Sequence, residues 1–563
     1  MPTFSGAESA QDALEQAMRL GAQGRFEQAV AAYEQALAQD PELVEAYMGL
    51  GLMLTTLGRL PEAIQACQGA LALRPELPEL HNNLGSLFNC LNQHAQAEAA
   101  LRQAIALRPL YVEAHYGLGM TLVAMNRLEE AEAVFQLAIV LRPDMADAHR
   151  QLASVFARRN LPRQAEIAYR QALALQPDHA ESLKRLGAVL HGQQRLQEAV
   201  EAYRQALAVQ PDMADVLHNL GTALGQLGRL PEAEAALRRA LALRPGYAET
   251  QFGLGMILLG AGRLDEGWPF YESRHRTRRR LQHALHPGLG PQCPSWQGEP
   301  LAGKSLLVWH EQGFGDVIQF GRYLSVLKAQ GAARITLACF PELRALCAGI
   351  PGIEAVEVDA AVALMPEHDY QTFVMAIPRW LNTSLQTIAP AVYLQADARR
   401  AQTWRERLAG LPGRKIGLAW RGSVTNLNDS GRSLSSLAVL EPLWRVPGLS
   451  FVSLQKGPGE DQARNPPPGQ PLLHLGSEIA DFADTAAIVE QLDLVISVDT
   501  AVAHLAGSMG KRCWVMLPAL NVDWRWLRER EDSPWYPGTM RLFRQTEPGR
   551  WDAIVMAMAQ ALR

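Results

Sequence analysis

The stretch that decides the fold is residues 41–74, which read PELVEAYMGLGLMLTTLGRLPEAIQACQGALALR. A proline returns every 34 residues after this stretch begins, at Pro41, Pro75, Pro109, Pro143, Pro177, Pro211 and Pro245. Leucine stands nine residues after each proline and is followed by glycine or alanine, and an alanine such as Ala63 recurs twelve residues later in most units. A fixed period of this kind predicts tandem helix pairs that bury their apolar faces only by stacking on their neighbours.

This pattern resembles the tetratricopeptide family over residues 8–278. The eighth unit is incomplete, because Gly267-Trp268-Pro269 and Arg274-His275 stand where its second helix needs small and apolar residues. An atypical last repeat is typical of a cap or of a docking surface for the next domain.

The position eight residues after the proline is asparagine in two units, at Asn83 and Asn219. In the helical arm of protein O-GlcNAc transferases, which this half resembles, asparagine at this position lines the concave face and holds the backbone of an extended polypeptide. The resemblance implies that Asn83 and Asn219 bind a protein acceptor; the other repeats carry glycine, glutamine or arginine there.

Composition restricts the partners and the compartment. A formal net charge of −5 with 20% charged residues indicates no general affinity for nucleic acid. One basic run, Arg274, Arg276 and 278–280, is either a solvated helix face or a phosphate-binding segment. The six cysteines show no Cys-x-x-Cys spacing, which favours buried thiols in a reducing compartment. Without a signal-peptide core or an apolar run of membrane-spanning length, we expect a soluble, cytoplasmic protein.

After a connector rich in proline and glycine (279–301), short apolar runs alternate with helical segments. A first series of such runs lies at 305–310, 334–340, 355–358 and 372–376, and a second at 415–420, 450–454, 494–498 and 513–517. This alternation predicts parallel strands with helical crossovers in two Rossmann-like lobes, 302–395 and 414–563. Because ligands of open α/β sheets bind beyond the carboxyl ends of the strands, functional residues are expected directly after each strand.

The first motif of this kind is His310-Glu311-Gln312-Gly313-Phe314-Gly315-Asp316, after the first strand and before a helix. Glycine allows the backbone to come close to a ligand, and an acid is favoured at a helix N-terminus. Asp316 is therefore either a functional acid or an N-terminal helix cap.

The second motif is Val498-Asp499-Thr500-Ala501-Val502-Ala503-His504, at the end of a buried strand. Free backbone N–H groups at the start of the next helix, with the Thr500 hydroxyl, are suited to bind a phosphate. Asp499 would repel a phosphate and is better suited to accept hydrogen bonds from sugar hydroxyls. His504 lies one helical turn from Thr500 and is either a ligand contact or a core histidine.

Together, Gly-x-Gly-Asp after the first strand and Asp-Thr-Ala-x-x-His after a late strand resemble the bacterial heptosyltransferase family, family 9 of the glycosyltransferases. The resemblance covers residues 302–563, including Trp420-Arg421-Gly422-Ser423, Asn428-Asp429, Arg432-Ser433 and 453–457. It is closest to bacterial proteins that join a tetratricopeptide array to such a domain. It implies the GT-B architecture of two facing lobes, inversion at the anomeric carbon, and no metal or other cofactor. The chain also lacks an Asp-x-Asp pair, the usual motif of metal-dependent glycosyltransferases.

The resemblance also implies roles for individual residues. Asp316 matches the general base, and His310 at the strand tip is the competing candidate because of its intrinsic pKa. Lys456, with Arg421 or Arg432, would neutralise the departing nucleotide phosphate. The remaining donor-binding candidates are Gly313, Gly315, Trp420, Asp499, Thr500 and His504.

Two functions from different classes remain open at this point. The first is an inverting glycosyltransferase that uses a nucleotide-sugar and modifies a protein recruited by the repeats, with flagellin or another surface protein as the acceptor that the architecture suggests. A glycan or a lipid-linked acceptor is the alternative within this class. The second is a protein-interaction scaffold whose α/β domain is catalytically degenerate.

Overall fold

The computed structural model describes residues 4–277, 293–364, 367–423 and 429–563. The chain divides into two compact units, Met1–Pro211 and Asp212–Arg563. Arg278, Arg279 and Arg280 of the basic run, most of the connector, and Asn428 lie outside the described residues.

The first unit consists of helix pairs. Its helices α1–α12 are Phe4–Ala22, Phe26–Gln39, Val44–Thr56, Leu60–Leu73, Pro78–Cys90, His94–Leu107, Val112–Ala124, Leu128–Leu141, Ala146–Arg158, Pro162–Leu175, Ala180–Gly192 and Leu196–Val209. The recurrent glycine lies where the two helices of a pair touch: a Cβ on Gly85 would stand 2.4 Å from Leu101 Cγ, and one on Gly119 would stand 2.5 Å from Phe135 Cε1. The periodic small residue therefore allows each first helix to pack closely on its second helix.

An ion-pair pattern repeats along this unit. Arg127, the residue before α8, binds Glu130 of that helix and Glu98 of the preceding pair, both at 2.6 Å. Arg195 makes the equivalent pairs with Glu198 and Glu166. Because the arginines, Glu130 and Glu198 remain partly exposed to solvent, these ion pairs add little to stability. Their regular placement instead matches each repeat to its neighbour.

The second unit begins with four more helices, α13 (Ala214–Gln226), α14 (Leu230–Leu243), α15 (Ala248–Gly260) and α16 (Leu264–Tyr271). Helix α16 has 8 residues, whereas α14 has 14. Pro269 lies inside α16, removes a backbone donor and shortens the helix, which passes into a 3₁₀ turn, Glu272–Arg276. The last repeat thus ends in a tight turn instead of a full second helix.

Two parallel sheets follow in the same unit. The first has the order β3-β2-β1-β4, with β1 Ser305–Trp309, β2 Arg334–Ala338, β3 Ile353–Val356 and β4 Tyr370–Phe373. The second has the order β10-β9-β8-β5-β6-β7, with β5 Arg414–Ala419, β6 Leu449–Ser453, β7 Leu473–His474, β8 Leu494–Val498, β9 Cys513–Leu517 and β10 Met540–Arg544. Every neighbouring pair in both sheets is parallel, as expected for an α/β domain.

The helices of this α/β part complete the unit. They are α17 Phe314–Phe320, α18 Arg322–Ala329, α19 Pro341–Cys347, α20 Val358–Leu364, α21 Ile377–Trp380, α22 Ala398–Leu408, α23 Asp429–Arg432, α24 Glu460–Arg464, α25 Phe482–Glu490, α26 Ala501–Ser508 and α27 Asp552–Leu562. Helix α17 leaves the carboxyl end of β1, and α26 leaves the carboxyl end of β8. The two sequence motifs therefore occupy equivalent places in the two sheets.

Candidate functional site

The first motif forms the loop between β1 and α17. Gln312 has a φ of +59°, a left-handed conformation that is uncommon for a residue with a side chain. His310 is buried, and its ring packs 4.1 Å, centroid to centroid, from the ring of Phe340. Asp316 follows one turn later, in the first turn of α17.

Both carboxylate oxygens of Asp316 have partners. Oδ2 accepts a hydrogen bond of 2.8 Å from the Gly313 amide, and Oδ1 forms an ion pair with Arg525. Burial raises the pKa of Asp316 above its ordinary value, while the Arg525 guanidinium and the Gly313 amide act in the opposite direction. Asp316 is thus a helix cap and also a largely buried carboxylate, at the place where a side chain that follows the second sheet's β9 reaches the first sheet.

Arg525, which the sequence reasoning missed, connects the two sheets. It follows β9 of the second sheet, and its guanidinium binds Asp316 of the first lobe and, at 2.8 Å, Asp523. The guanidinium lies 4.8 Å from the ring centroid of Trp524. Its position after the carboxyl end of β9 is the signal that could have identified it, because the same strand-end rule located Asp316 and Asp499.

The second motif lies beside this pair. His504 Nε2 is 3.9 Å from Asp499 Oδ1, and Arg432 Nη1 is 3.9 Å from Asp499 Oδ2. Burial and the nearby Asp523 raise the pKa of Asp499 to about 6, against the effect of Arg432 and Arg525. The Thr500 hydroxyl lies 2.9 Å from Ser497 Oγ at the start of α26.

His504 is a buried side chain of α26. Burial and the surrounding arginines hold the pKa of His504 well below its ordinary value. Its Nδ1 is 2.9 Å from the Tyr536 hydroxyl, and its ring stacks on Trp526 at 5.2 Å. His504 therefore belongs to the packed wall of the site, with its Nε2 edge towards Asp499.

The two glycines of the first motif differ in their surroundings. A Cβ on Gly315 would stand 2.9 Å from His504 Cδ2 and 3.6 Å from Ala501 Cα, so Gly315 is where α17 and α26 pack together. A Cβ on Gly313 would meet only Asp316 Oδ2, at 3.6 Å. The glycine at 315 is thus explained by the packing of α17 on α26, and the backbone at 313 is the more open of the two.

Loops after β5 and β6 supply the cationic candidates. Gln455 Oε1 accepts hydrogen bonds of 3.0 Å from the amides of Trp420 and Arg421, and its Nε2 donates to Arg421 O and Pro458 O. The sequence pattern did not identify Gln455, whose hydrogen bonds connect the loop after β6 to the loop after β5. The neighbouring Lys456 directs its Nζ to the Ile479 carbonyl.

Several donors near these loops are buried and have no hydrogen-bond partner among the described residues: Trp420 Nε1, Arg421 Nε, Arg432 Nε and Arg525 Nε. The side chains of Trp420 and Arg421 both lie against Gly459, and the side chain of Arg432 lies against Gly422. Buried donors without partners are costly, and an anionic ligand would satisfy them.

The acceptor candidates lie in the helical part. Asn83 is exposed on α5 of the first unit, and Asn219 is partly exposed on α13 of the second unit. Two surface cavities of about 350 and 440 Å³ adjoin Gly298 and Trp380, and neither is lined by Asp316 or Asp499.

Within the part of the chain that the structure describes, no group of three or more His, Cys, Asp or Glu side chains has a metal-binding arrangement. Across the same described residues, no helix is long and apolar enough to span a bilayer. The six cysteines are free thiols, of which Cys90 is exposed.

Comparison with known proteins identifies the repeats. Two family models, both described as Tetratricopeptide repeat, match residues 14–78 with 91–146 and residues 178–246. The N-terminal half is therefore a tetratricopeptide-repeat array, as its 34-residue period predicts. Protein FlbA of Caulobacter vibrioides is 30% identical over 329 residues, which are 53% of this chain and 52% of FlbA. The chain thus spans about half the length of this curated relative.

Solved structures that are similar to part of this chain include YrrB, described as a TPR protein, PilF and MamA. YrrB, described as having an unusual peptide-binding site, is 22% identical and covers 33% of this chain and 96% of its own, with a TM-score of 0.31. PilF of Pseudomonas aeruginosa is 21% identical over 37% of this chain and 95% of its own, with a TM-score of 0.34. MamA is 25% identical over 31% of this chain and 95% of its own, with a TM-score of 0.29.

Proposed function

We propose that this protein is an inverting, metal-independent glycosyltransferase of the GT-B type that acts in the cytoplasm. It would transfer a sugar from a nucleotide-sugar to a protein recruited by the tetratricopeptide repeats. One observation carries the proposal: the motifs at the strand ends of two parallel sheets meet, because Gly315 packs on His504 and Ala501. Although burial raises the pKa of Asp499, the buried Arg525 that binds Asp316 also lowers that pKa through its charge. Facing strand ends of two α/β sheets are where such ligands bind.

In the proposed reaction Asp316 is the general base. An acceptor hydroxyl oxygen attacks the anomeric carbon, the bond from that carbon to the phosphate oxygen breaks, and the nucleoside diphosphate leaves. The hydroxyl proton passes to Asp316, whose pKa is raised by burial towards the range in which a carboxylate is an effective base. His310 is the competing base. Asp499 and Thr500 would hold sugar hydroxyls and phosphate.

The negative charge on the departing diphosphate requires stabilisation. Arg421, Arg432 and Lys456 are the proposed groups; the Nε atoms of both arginines make no hydrogen bond among the described residues, and Arg432 Nε lies 3.7 Å from Asp429 Oδ1. Trp420 Nε1 is a further donor at the same place. Fixed donors aimed at the developing charge could replace the metal used by other glycosyltransferases.

The second candidate is a protein-interaction module with a catalytically degenerate α/β domain. Its support is that the tetratricopeptide array is a protein-interaction module and that both oxygens of Asp316 are already engaged. A glycan or lipid-linked acceptor is a third possibility for the same α/β site. Flagellin or another surface protein remains our proposed acceptor, to be held by the repeats that carry Asn83 and Asn219.

The deciding experiment is saturation-transfer NMR of the full chain against a panel of nucleotide-sugars, followed by calorimetry with the best ligand. We expect Asp499→Ala and Lys456→Ala each to weaken binding by about 1.5–3 kcal/mol, the range for a charge-assisted hydrogen bond.

Matched controls exist in the same lobe. Asp493 precedes β8 at the end opposite Asp499, and Lys511 also donates to a backbone carbonyl, that of Glu490. Asp493→Ala and Lys511→Ala should bind as the wild type does. Binding that is unchanged in both test variants would place the donor elsewhere, and no binding to any nucleotide-sugar would favour the interaction module.

A further inference from the structure

The last repeat contains a buried arginine, Arg274. Because Pro269 shortens α16, the 3₁₀ turn Glu272–Arg276 follows at once, and Arg274 within it has only 2% of its side chain exposed. Its guanidinium lies 4.7 Å from the ring centroid of Tyr271. A buried arginine in a tetratricopeptide repeat needs a strong partner.

Arg274 has two carboxylate partners, Glu272 in the same turn and Glu311 in the loop of the first motif. Arg274 Nε and Nη2 bind Glu311 Oε1 and Oε2, each at 2.8 Å, and the Glu311 side chain is completely buried. A two-pronged pair of this geometry fixes both the position and the orientation of the carboxylate. Glu311 stands between His310 and Gln312, so the last repeat fixes the loop that leads to Asp316.

Gln312 adds a second contact from the same repeat. Its Nε2 donates to the Tyr271 hydroxyl at 3.0 Å, and its backbone is left-handed, with a φ of +59°. A non-glycine residue stays in this conformation only when its surroundings impose it. The contacts of Arg274 and Tyr271 supply that constraint.

The other partner of Asp316 is supported by the same repeat. Trp524 packs edge-to-face on Trp268, with centroids 5.4 Å apart, and lies 5.9 Å from Tyr271. Arg525, next in the chain, forms the ion pair with Asp316. Residues 264–276 therefore contact both the loop before Asp316 and the segment that carries Arg525, the cation bound to Asp316.

We propose that the last tetratricopeptide repeat is a built-in part of the α/β site, with Arg274 as a positioning residue that sets the 310–313 loop and thereby the place of Asp316. The consequence for turnover rests on the proposed function, whereas the consequence for the loop does not. The last repeat and the site are then one functional unit, coupled through 264–276.

Hydrogen–deuterium exchange tests the loop directly. In Arg274→Met, we expect amides of 310–317 to exchange about tenfold or more faster, while those of β8 in the second sheet keep their protection. Arg276→Met is the matched control, because Arg276 belongs to the same turn but binds Gln251 of the repeat, at 2.5 Å. Equal exchange of 310–317 in wild type and Arg274→Met would overturn the proposal.

A double variant separates positioning from stability. Replacing a buried ion pair by apolar groups often preserves stability, so Arg274→Met with Glu311→Met should fold even where Arg274→Met alone does not. We expect it to melt close to the wild type, to bind UDP or GDP, whichever the wild type binds, with unchanged affinity, and to lose at least about tenfold in kcat for donor hydrolysis.

The exchange rates and kcat together decide whether Arg274 positions the loop or only stabilises the fold. Wild-type exchange in 310–317 together with wild-type kcat in the double variant would make the pair a stability contact only and would overturn the proposal. Faster exchange with no donor turnover even in the wild type would support the positioning role and count against the glycosyltransferase function.

Discussion

At the scale of single residues, Asp316 is held by the Gly313 amide and by Arg525. Asp316→Asn keeps the size of the side chain and removes the proton acceptor. We expect donor binding to persist and transfer to fall by roughly two to four orders of magnitude, the usual contribution of a general base. The measurement is transfer rate beside calorimetric affinity.

Asp523→Asn is the control for this variant, because it removes the other carboxylate bound to Arg525 and leaves Asp316 in place. Its transfer rate should fall less than tenfold. Equal losses in the two variants would assign the effect to the ion pair. If His310→Ala abolishes transfer while Asp316→Asn does not, His310 is the base.

The raised pKa of Asp499 predicts a pH dependence of stability. Since the folded-state pKa is about 6, above the unfolded value, the folded protein binds this proton more tightly. The associated stability is present at low pH and is lost as the pH rises through about 4 to 6. Asp499→Asn mimics the protonated form and should therefore become more stable than the wild type above pH 6, by on the order of 2–3 kcal/mol.

Melting temperatures of both proteins between pH 4 and 8 measure this difference. Asp493→Asn, an exposed position at the other end of β8, is the control. A difference between Asp499→Asn and wild type that does not grow with pH would contradict the prediction.

Sequence patterns located Asp316 and Asp499 because each follows a strand, which is a local property. They could not locate Arg525 as the partner of Asp316, since that ion pair joins positions in different lobes. The sequence left His504 open between ligand and core, and the structure gives it contacts with Tyr536 and Trp526 while its Nε2 stays near Asp499.

At the scale of elements, Gly315 is the contact between α17 and α26. Gly315→Ala places a Cβ 2.9 Å from His504, which must move, so we expect a loss of about 1–3 kcal/mol from overpacking. Gly313→Ala is the matched control: its φ of −120° and ψ of 178° suit any residue, and its Cβ has space. Denaturant unfolding of both variants checks this, and equal stability would show that the helices can separate without cost.

Strands were predictable where apolar runs were short and flanked by turns. The predicted runs at 494–498 and 513–517 coincide with β8 and β9, and the run at 355–358 lies two residues beyond the start of β3. The sequence missed β10, whose residues Met540–Arg544 include an exposed arginine among buried apolar side chains at a sheet edge. It also missed β7, whose two residues are too few to form a pattern.

At the scale of the whole molecule, the boundary at Pro211 allows a clean truncation. Removing residues 1–210 should leave donor binding and slow donor hydrolysis intact, because Asp212–Arg563 contains both sheets and the last repeats. Transfer to a protein acceptor should be abolished or greatly weakened, since docking supplies the effective concentration of the acceptor.

The comparison uses full-length and truncated protein with the same folded acceptor. Equal transfer rates would contradict recruitment by the repeats and would favour a small or lipid-linked acceptor. Circular dichroism and melting of the truncated form ensure that a loss of transfer is not a loss of fold.

The repeated Arg–Glu pairs of the first unit have a consequence for how this protein can evolve. Arg127 binds Glu98 of the preceding repeat, and Arg195, two repeats later, binds Glu166 in the same way, whereas Leu161 stands at this position in the repeat between them. Gain or loss of two adjacent internal repeats by recombination therefore leaves these junctions matched, whereas gain or loss of a single repeat does not. The repeat that contains Arg274 has no such freedom, so natural variation in arm length should occur upstream of residue 264.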